Sequence, residues 1–494
     1  MTDGGTTDVT TQESVQQKLS ARLIFRNFSF LIVGKTLGDV FTFIFFVLLS
    51  RAFGQEGIGQ YSFAMALAGF FWVFAEFGLY NLSIKEMSRH TGDLGEYYGG
   101  IFSLRLILSI IVLSVLLLAL PFLPFPHDTK LIIGLVGAYQ IISALIDGFA
   151  AVCIAREDMH LAGSLDFAFK AITAMVGIIV VMAGGDLIMV MIAFPIVAVI
   201  LLFVIFRVVT KSYGHIKLSF SWSYLTRKLR EAIPFGLSAL LSQLSSRVDV
   251  VLMGFFLSAA AVGVYNAAYR VVFILMFVPV FAALSLFPMM SRLYINSQKD
   301  LATLYTKLIN LIILIGLPTS AGLWLIAPKL IYLIFGEGFA ESALMLRYFA
   351  WLLLLAFLKS FMGMLLTSCD RQAEGTRSQW TAACVNVVGN VILIPSIGIK
   401  GAAIAVLVSE TLLVILYAMQ IRTFIGWPWI GSRLVMSTVG TAIFCATFSL
   451  LPAMTITIVI PASIVIYAIT LLCFKGIREN EIPMLMDLGR VCKL

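Results

Sequence analysis

Apolar runs of about 20 residues recur along nearly the whole chain, and that repetition limits the possible folds more than any motif does. A helix of that length crosses the hydrocarbon of a bilayer. No water is available there to satisfy exposed peptide groups, so spans must be helices or strands of a closed barrel. Barrel strands would read as short alternating segments separated by turns, and the sequence has none. The chain is 60% hydrophobic and 12% charged, against about 25% charged in ordinary globular domains. The sequence therefore predicts an all-α polytopic membrane protein.

Six spans are expected at 28–50, 58–80, 100–120, 131–152, 162–183 and 187–208. Six more fall at 232–255, 262–289, 307–328, 342–367, 378–396 and 401–421. A closing pair at 434–452 and 454–474 brings the total to about fourteen. The domain plan is then a polar, disordered cytoplasmic N-terminus (1–20), an N-terminal lobe (21–208) and a cytoplasmic connector (209–231). A C-terminal lobe (232–422), the closing pair (423–475) and a charged cytoplasmic tail (476–494) follow. No signal peptide is expected, because the first apolar run is too long and lacks a small-residue cleavage site.

Charge supports this layout. Of the 34 Lys and Arg, 23 fall in connections on the side of the N-terminus and 4 (Arg51, Lys130, Lys329, Lys400) on the other. Basic residues collect on the cytoplasmic side, so both termini are placed there, in a cell membrane. Topology alone accounts for the net charge of +8, and no nucleic-acid partner is called for. The six cysteines show no metal spacing, and His90, His127, His160 and His215 sit in connections without ligand spacing. No metal or resident cofactor is expected. Pro195, Pro279, Pro288 and Pro318 are tolerated bends within spans. In the connector, Phe220, Trp222, Tyr224 and Leu225 interleave with Lys217, Arg227, Lys228 and Arg230. That pattern suits either a membrane-surface helix or a solvated linker.

The two sets of six spans read as a repeat. Gly59-x-Tyr61 opens the second span and Gly263-x-Tyr265 the eighth, each after a tight connection. Lobes of six spans share one orientation, which predicts two six-helix lobes related by a pseudo-twofold along the membrane normal, plus two C-terminal helices.

Several blocks carry a resemblance. Arg51-x-Phe-Gly-x-Glu-Gly-x-Gly-x-Tyr61 is similar to the first outer loop of the oligosaccharide (polysaccharide biosynthesis) flippases. So is Asp249-x-x-x-Gly254 followed by Val262-Gly263-x-Tyr265-x-x-Ala268-x-Arg270. Phe335-Gly336-Glu337-Gly338-Phe339 resembles a further family block, as does the run from Asn386 and Asn390 through Pro395 to Gly401-Ala402-Ala403. Together they cover roughly residues 25–425. The resemblance implies the superfamily that also holds multidrug/toxin extruders and peptidoglycan-precursor flippases. It implies two six-helix lobes around a cavity, alternating access, and transfer of polyprenyl-linked oligosaccharide from the inner to the outer leaflet. Such a protein is expected to be a monomer working beside polysaccharide-assembly proteins.

Seven basic residues lie inside spans: Lys35, Arg105, Lys170, Arg247, Arg270, Arg347 and Lys359. A charge in hydrocarbon costs roughly 2.5–3.5 kcal/mol at a helix centre, so such groups face a bundle interior or a wet cavity. Lys35 with Asp39, and Asp166 with Lys170, stand four apart and can pair on one helix face; each pair is either self-neutralising or functional. Arg105 lies close enough to the inner boundary to snorkel. Arg247 and Arg270 lie deeper and lack acidic residues three or four positions away. A guanidinium matches phosphate oxygens, so Arg247 and Arg270, with Lys35 and Lys359, are the expected head-group phosphate site. Asp39, Asp147, Asp249 and Glu410 are either Na⁺ or H⁺ coupling groups or counter-charges. Asn386 and Asn390 share a face and meet either sugar hydroxyls or a neighbouring helix. Tyr265, Asn266 and Tyr269 meet either saccharide or the interfacial belt.

A cation-coupled multidrug exporter on the same fold is the alternative function. A membrane glycosyl polymerase or ligase is the third, and the short outer connections, without an acid–base or nucleophile set, argue against an enzyme.

Overall fold

The computed structural model describes residues 6–89, 94–214, 216–428 and 431–450. Every regular element among them is helical. The chain divides into two compact units, Met1–Val251 and Leu252–Leu494. The cut falls inside a helix, α7 (Trp222–Phe256), rather than in the expected connector. Eleven helices among the described residues are long and apolar enough to cross a bilayer. The first, Phe30–Arg89, has 60 residues, far more than the roughly 20 one span needs. It takes in the expected span 58–80 and all but the first two residues of 28–50, and is interrupted at residues 77–78. The span at 454–474 and the tail 476–494 lie outside the described residues.

In the first unit, α1 (Thr6–Glu76) runs through both expected spans and bends at Gly54 (φ 65°). The outer connection expected there is only this bend. The helix also begins at Thr6, within the polar stretch for which the sequence predicts disorder. From Gln12 to Arg22 that stretch has neither Gly nor Pro and is rich in good helix formers,. Residues 1–5 lie outside the described set.

The next elements are α2 (Leu79–Arg89), α3 (Leu94–Ala119), α4 (His127–Ala155), α5 (Met159–Met182) and α6 (Leu187–Tyr213). Helix α1 packs along α5 and α4, and α4 also packs against α6, α2 and α3. The α1–α5 crossing is backbone against backbone: a Cβ on Gly34 would stand 2.5 Å from the carbonyl oxygen of Gly163. Only small residues permit so close an approach. Phe149, Phe169, Ala198 and Ile205 build the core among α4, α5 and α6. Leu79, Leu82, Ile101, Leu104, Leu225 and Ala232 build a second among α2, α3 and the start of α7.

The connector is shorter than expected, since α6 runs to Tyr213 and α7 starts at Trp222. Within it the Ser219 amide donates to Ser103 Oγ at 3.1 Å. Among the described residues no separate surface helix lies between α6 and α7.

The second unit contains α8 (Ala259–Leu275), α9 (Phe277–Asn296), α10 (Gln298–Phe335), α11 (Ser342–Ser368), α12 (Gln372–Ile397), α13 (Ile399–Arg422) and α14 (Gly431–Leu450). The expected span 262–289 is broken at Met276 into α8 and α9. Helix α11 packs against α8, α9, α10 and α13. Tyr305, Phe361, Leu365 and Tyr417 are among its core residues.

Candidate functional site

The site is built around a break in the first unit. Helix α1 ends at Glu76, and Phe77 (φ 38°) and Gly78 (φ 76°) take left-handed conformations before α2 starts. Phe77 there is strained, as any residue with a Cβ is. Gly78 has no alternative, because a Cβ would also stand 2.4 Å from the Gly236 nitrogen of α7. The Glu76 carboxylate accepts hydrogen bonds from the Gly78 amide at 2.8 Å and from the Tyr80 amide. It thereby satisfies free donors at the start of α2.

Arg105 on α3 lies 3.6 Å from that carboxylate and donates to the Ala144 carbonyl of α4 at 2.7 Å. Its side chain is 1% exposed. Snorkelling is thus overturned: the guanidinium is turned inward because a carboxylate and a carbonyl on neighbouring helices receive it.

Beside this lock lies a cavity of about 260 Å³. Lys35 (α1), Glu76, Asp147 (α4) and Asp166 (α5) supply its charged lining, and Trp72, Tyr80 and Asn81 add aromatic and amide groups. The expected Lys35–Asp39 pair is not made. Lys170 of α5 instead sits 3.0 Å from both Asp39 and Asp166, because α5 crosses α1 closely enough for one ammonium to serve both carboxylates. That leaves Lys35 and Asp147 without a hydrogen bond or an ion pair within 4.0 Å among the described residues. The same helix end carries a second, apolar groove of about 570 Å³, lined by Phe71, Phe74, Phe77, Leu108 and Val112 among others.

The other expected residues divide between the units. Arg247 is half-buried on α7 in the first unit, and Arg270 half-buried on α8 in the second, its guanidinium 6.0 Å from the Phe273 ring centre. Both make further interactions within the chain. Asp249 is buried, with its carboxylate accepting from the Val250 amide at 2.8 Å. Lys359 of α11 and Glu410 of α13 bind each other at 2.6 Å, so the expected phosphate ligand and the expected coupling carboxylate are one another's counter-charge. Asn386 donates to Ser409 Oγ at 3.1 Å, and Asn390 donates back to Asn386 at 2.8 Å. Both are buried, which is the helix–helix alternative.

Tyr265 is fully buried, edge-on to Phe349 at 5.0 Å, and Tyr269 meets the same ring at 5.8 Å. Asn266 donates to its own helix at Val262. Tyr265 and Asn266 therefore belong to the packing of α8 on α11 rather than to an interfacial belt. Sequence reasoning missed Trp72, Tyr80 and Asn81. The signal for them was Glu76 and the following Phe-Gly, an acidic residue at the end of an apolar run beside a helix breaker.

A family model described as polysaccharide biosynthesis protein matches residues 24–294, and a MatE model matches residues 234–396. The probable low-salt glycan biosynthesis flippase Agl15 of Haloferax volcanii is 26% identical over 424 residues, covering 84% of this chain and 86% of that protein. The fold matches that of the lipid II flippase MurJ in its inward closed conformation, with TM-score 0.74, 15% identity, and coverage of 92% of this chain and 99% of MurJ. It also matches an inward-facing multidrug resistance MATE family transporter, with TM-score 0.60, 16% identity, and coverage of 78% and 94%. With the first model spanning more than half of its length, the chain belongs to the polysaccharide biosynthesis protein family.

Proposed function

We propose that this protein is a flippase carrying a polyprenyl-(pyro)phosphate-linked oligosaccharide from the inner to the outer leaflet by alternating access, for surface polysaccharide or glycan assembly. Family membership and the resemblance to Agl15 along most of both chains support this reading. The observation that carries it is the polar cavity of the first unit, where the exposed Lys35 of an expected span lines the wall without an ion pair among the described residues. Keeping it there is costly unless an anion or water meets it.

Position fits loading from the inner leaflet. Lys35 stands near the start of the first span, Trp72 to Asn81 at the end of the second, Asp147 near the end of α4 and Asp166 near the start of α5. Successive spans run in alternate directions, so these places share one side. The positive-inside bias assigns that side to the cytoplasm. The apolar groove at the same helix end suits the isoprenoid chain of such a substrate. Arg247, on α7 of the same unit, is a further phosphate ligand in this reading. Asp147, which makes no hydrogen bond or ion pair among the described residues, is the carboxylate assigned to Na⁺ or H⁺ coupling.

The test is the full chain reconstituted in vesicles with a fluorescent polyprenyl-pyrophosphoryl sugar, monitored with a membrane-impermeant quencher. Protein-dependent flipping that disappears in Lys35→Ala supports the proposal. Flipping no faster than in protein-free vesicles sinks it. The MatE match favours one competing reading, cation-coupled drug export, and efflux of a cationic dye from the same vesicles with no lipid flipping would establish that instead.

A further inference from the structure

We infer that the cavity of the first unit is a subsite for a single uncharged sugar ring, held by Trp72, Tyr80, Asn81 and Asp147 next to the phosphate that meets Lys35. The inference rests on the flippase reading and adds the class of sugar the protein accepts.

Four features of the cavity lead to it. The first is unsatisfied polarity. The Trp72 indole, the Tyr80 hydroxyl, the Asn81 amide and the Asp147 carboxylate line it, and none of these side-chain groups has a hydrogen-bond partner among the described residues. Trp72, Tyr80 and Asp147 are half-buried and Asn81 is at the exposed edge, and polar groups within a membrane bundle ordinarily find partners in the protein. Here four converge on one space and are left for something else.

The second is the mixture of types. An indole offers a flat apolar face and one N–H, which suits the C–H face of a pyranose. A phenol, a carboxamide and a carboxylate between them donate to and accept from ring hydroxyls. No ring contact occupies the Trp72 face among the described residues, although the side chain leans on the small core of Ala75, Val112 and Ala144.

The third is size. About 260 Å³ is below the roughly 300–1,000 Å³ typical of sites for drug-sized ligands. One ring fits, and the rest of a longer glycan must lie outside.

The fourth is charge. Three carboxylates (Glu76, Asp147, Asp166) line the cavity against one ammonium. Arg105 pairs with Glu76 from behind, and Lys170 is shared between Asp166 and Asp39. Asp147 is left facing the ring, where it accepts from hydroxyls and repels a second carboxylate. An acidic ring such as a uronate is therefore excluded from this position.

The test uses the full chain in nanodiscs and measures binding of three lipids: polyprenyl pyrophosphate, the same lipid carrying one N-acetylglucosamine, and the same lipid carrying one glucuronate. Wild-type protein should bind the N-acetylglucosamine lipid about tenfold more tightly than the bare lipid, with no gain for the glucuronate lipid. Trp72→Leu and Asn81→Ala should remove most of that gain and change binding of the bare lipid less than about twofold. Trp72→Phe keeps a stacking face and should restore most of it. Should Trp72→Leu fail to fold, Asn81→Ala on the exposed edge decides the matter alone.

The inference falls if wild type gains nothing from the sugar, if the uronate lipid binds best, or if the variants weaken all three lipids alike. It also falls if tetraphenylphosphonium, an organic cation, binds the cavity and depends on Trp72 while the sugar does not. Wild-type protein that binds bare and glycosylated lipid equally removes only this subsite. Protein that binds neither lipid removes the flippase reading with it.

Discussion

The charged residues inside the spans sort into those that pair within the fold and those the proposed function assigns to a ligand. Glu76 and Arg105 belong to the first group, because each is buried and each satisfies atoms on neighbouring helices. Removing one partner of a buried pair strands the other and costs about 3–5 kcal/mol. Arg105→Ala should therefore lower the thermal unfolding temperature in detergent sharply. Lys35→Ala removes no pair, so it should leave that temperature nearly unchanged while abolishing lipid flipping. Equal losses of stability in both variants would contradict the division. Asp147→Asn should likewise fold normally and make flipping independent of an imposed pH or Na⁺ gradient. Little of this sorting was legible in the sequence. Spacing along one helix finds partners three or four residues away, and so it suggested Lys35 with Asp39. The pairs that formed, Lys170 with Asp39, Arg105 with Glu76 and Lys359 with Glu410, each join different helices. Among the described residues inside the expected spans, only Asp166 with Lys170 followed the spacing rule.

At the level of helices the sequence was far more legible, because lipid forces each span to declare itself by length and apolar content. The expected spans from 100 to 208 each coincide with one helix. What remained hidden were the joints. Gly54 bends α1 without ending it, and Phe77-Gly78 ends it without a loop. Such joints depend on what packs alongside, here Gly236 against Gly78. The α1–α5 crossing is the joint that sets the cavity wall, since Lys35 directly follows Gly34 on α1 and Asp166 stands three residues after Gly163 on α5. Gly163→Ala adds a methyl where a Cβ would stand 3.0 Å from the Phe30 carbonyl oxygen. Overpacking of this kind costs about 1–3 kcal/mol. The variant should fold less stably, and it should lose binding of the glycosylated lipid through a shifted wall, although it removes no polar group. Retained affinity alongside reduced stability would detach the crossing from the site.

For the whole molecule, the physical question is which side of the membrane the cavity serves. The proposed inward orientation rests on the distribution of Lys and Arg, because basic connections resist translocation. On the side of the N-terminus lie Lys211 at the end of α6, Lys217 in the link, Arg227, Lys228 and Arg230 in the first turns of α7, and Arg292 and Lys299 about the α9–α10 turn. The turn between α10 and α11, at Gly336 to Glu341, carries none. A cysteine placed at Ser297 should react with an impermeant maleimide only after cells are opened, and one placed at Gly338 should react in intact cells, both in a background without native cysteines. Neither position carries a charge, so the substitutions leave the topological signal intact. The reverse pattern would turn the cavity toward the outside. Lys35 and Asp147 would then face the leaflet where the proposed substrate is delivered rather than collected, and a flippase loading from within would have no entrance there.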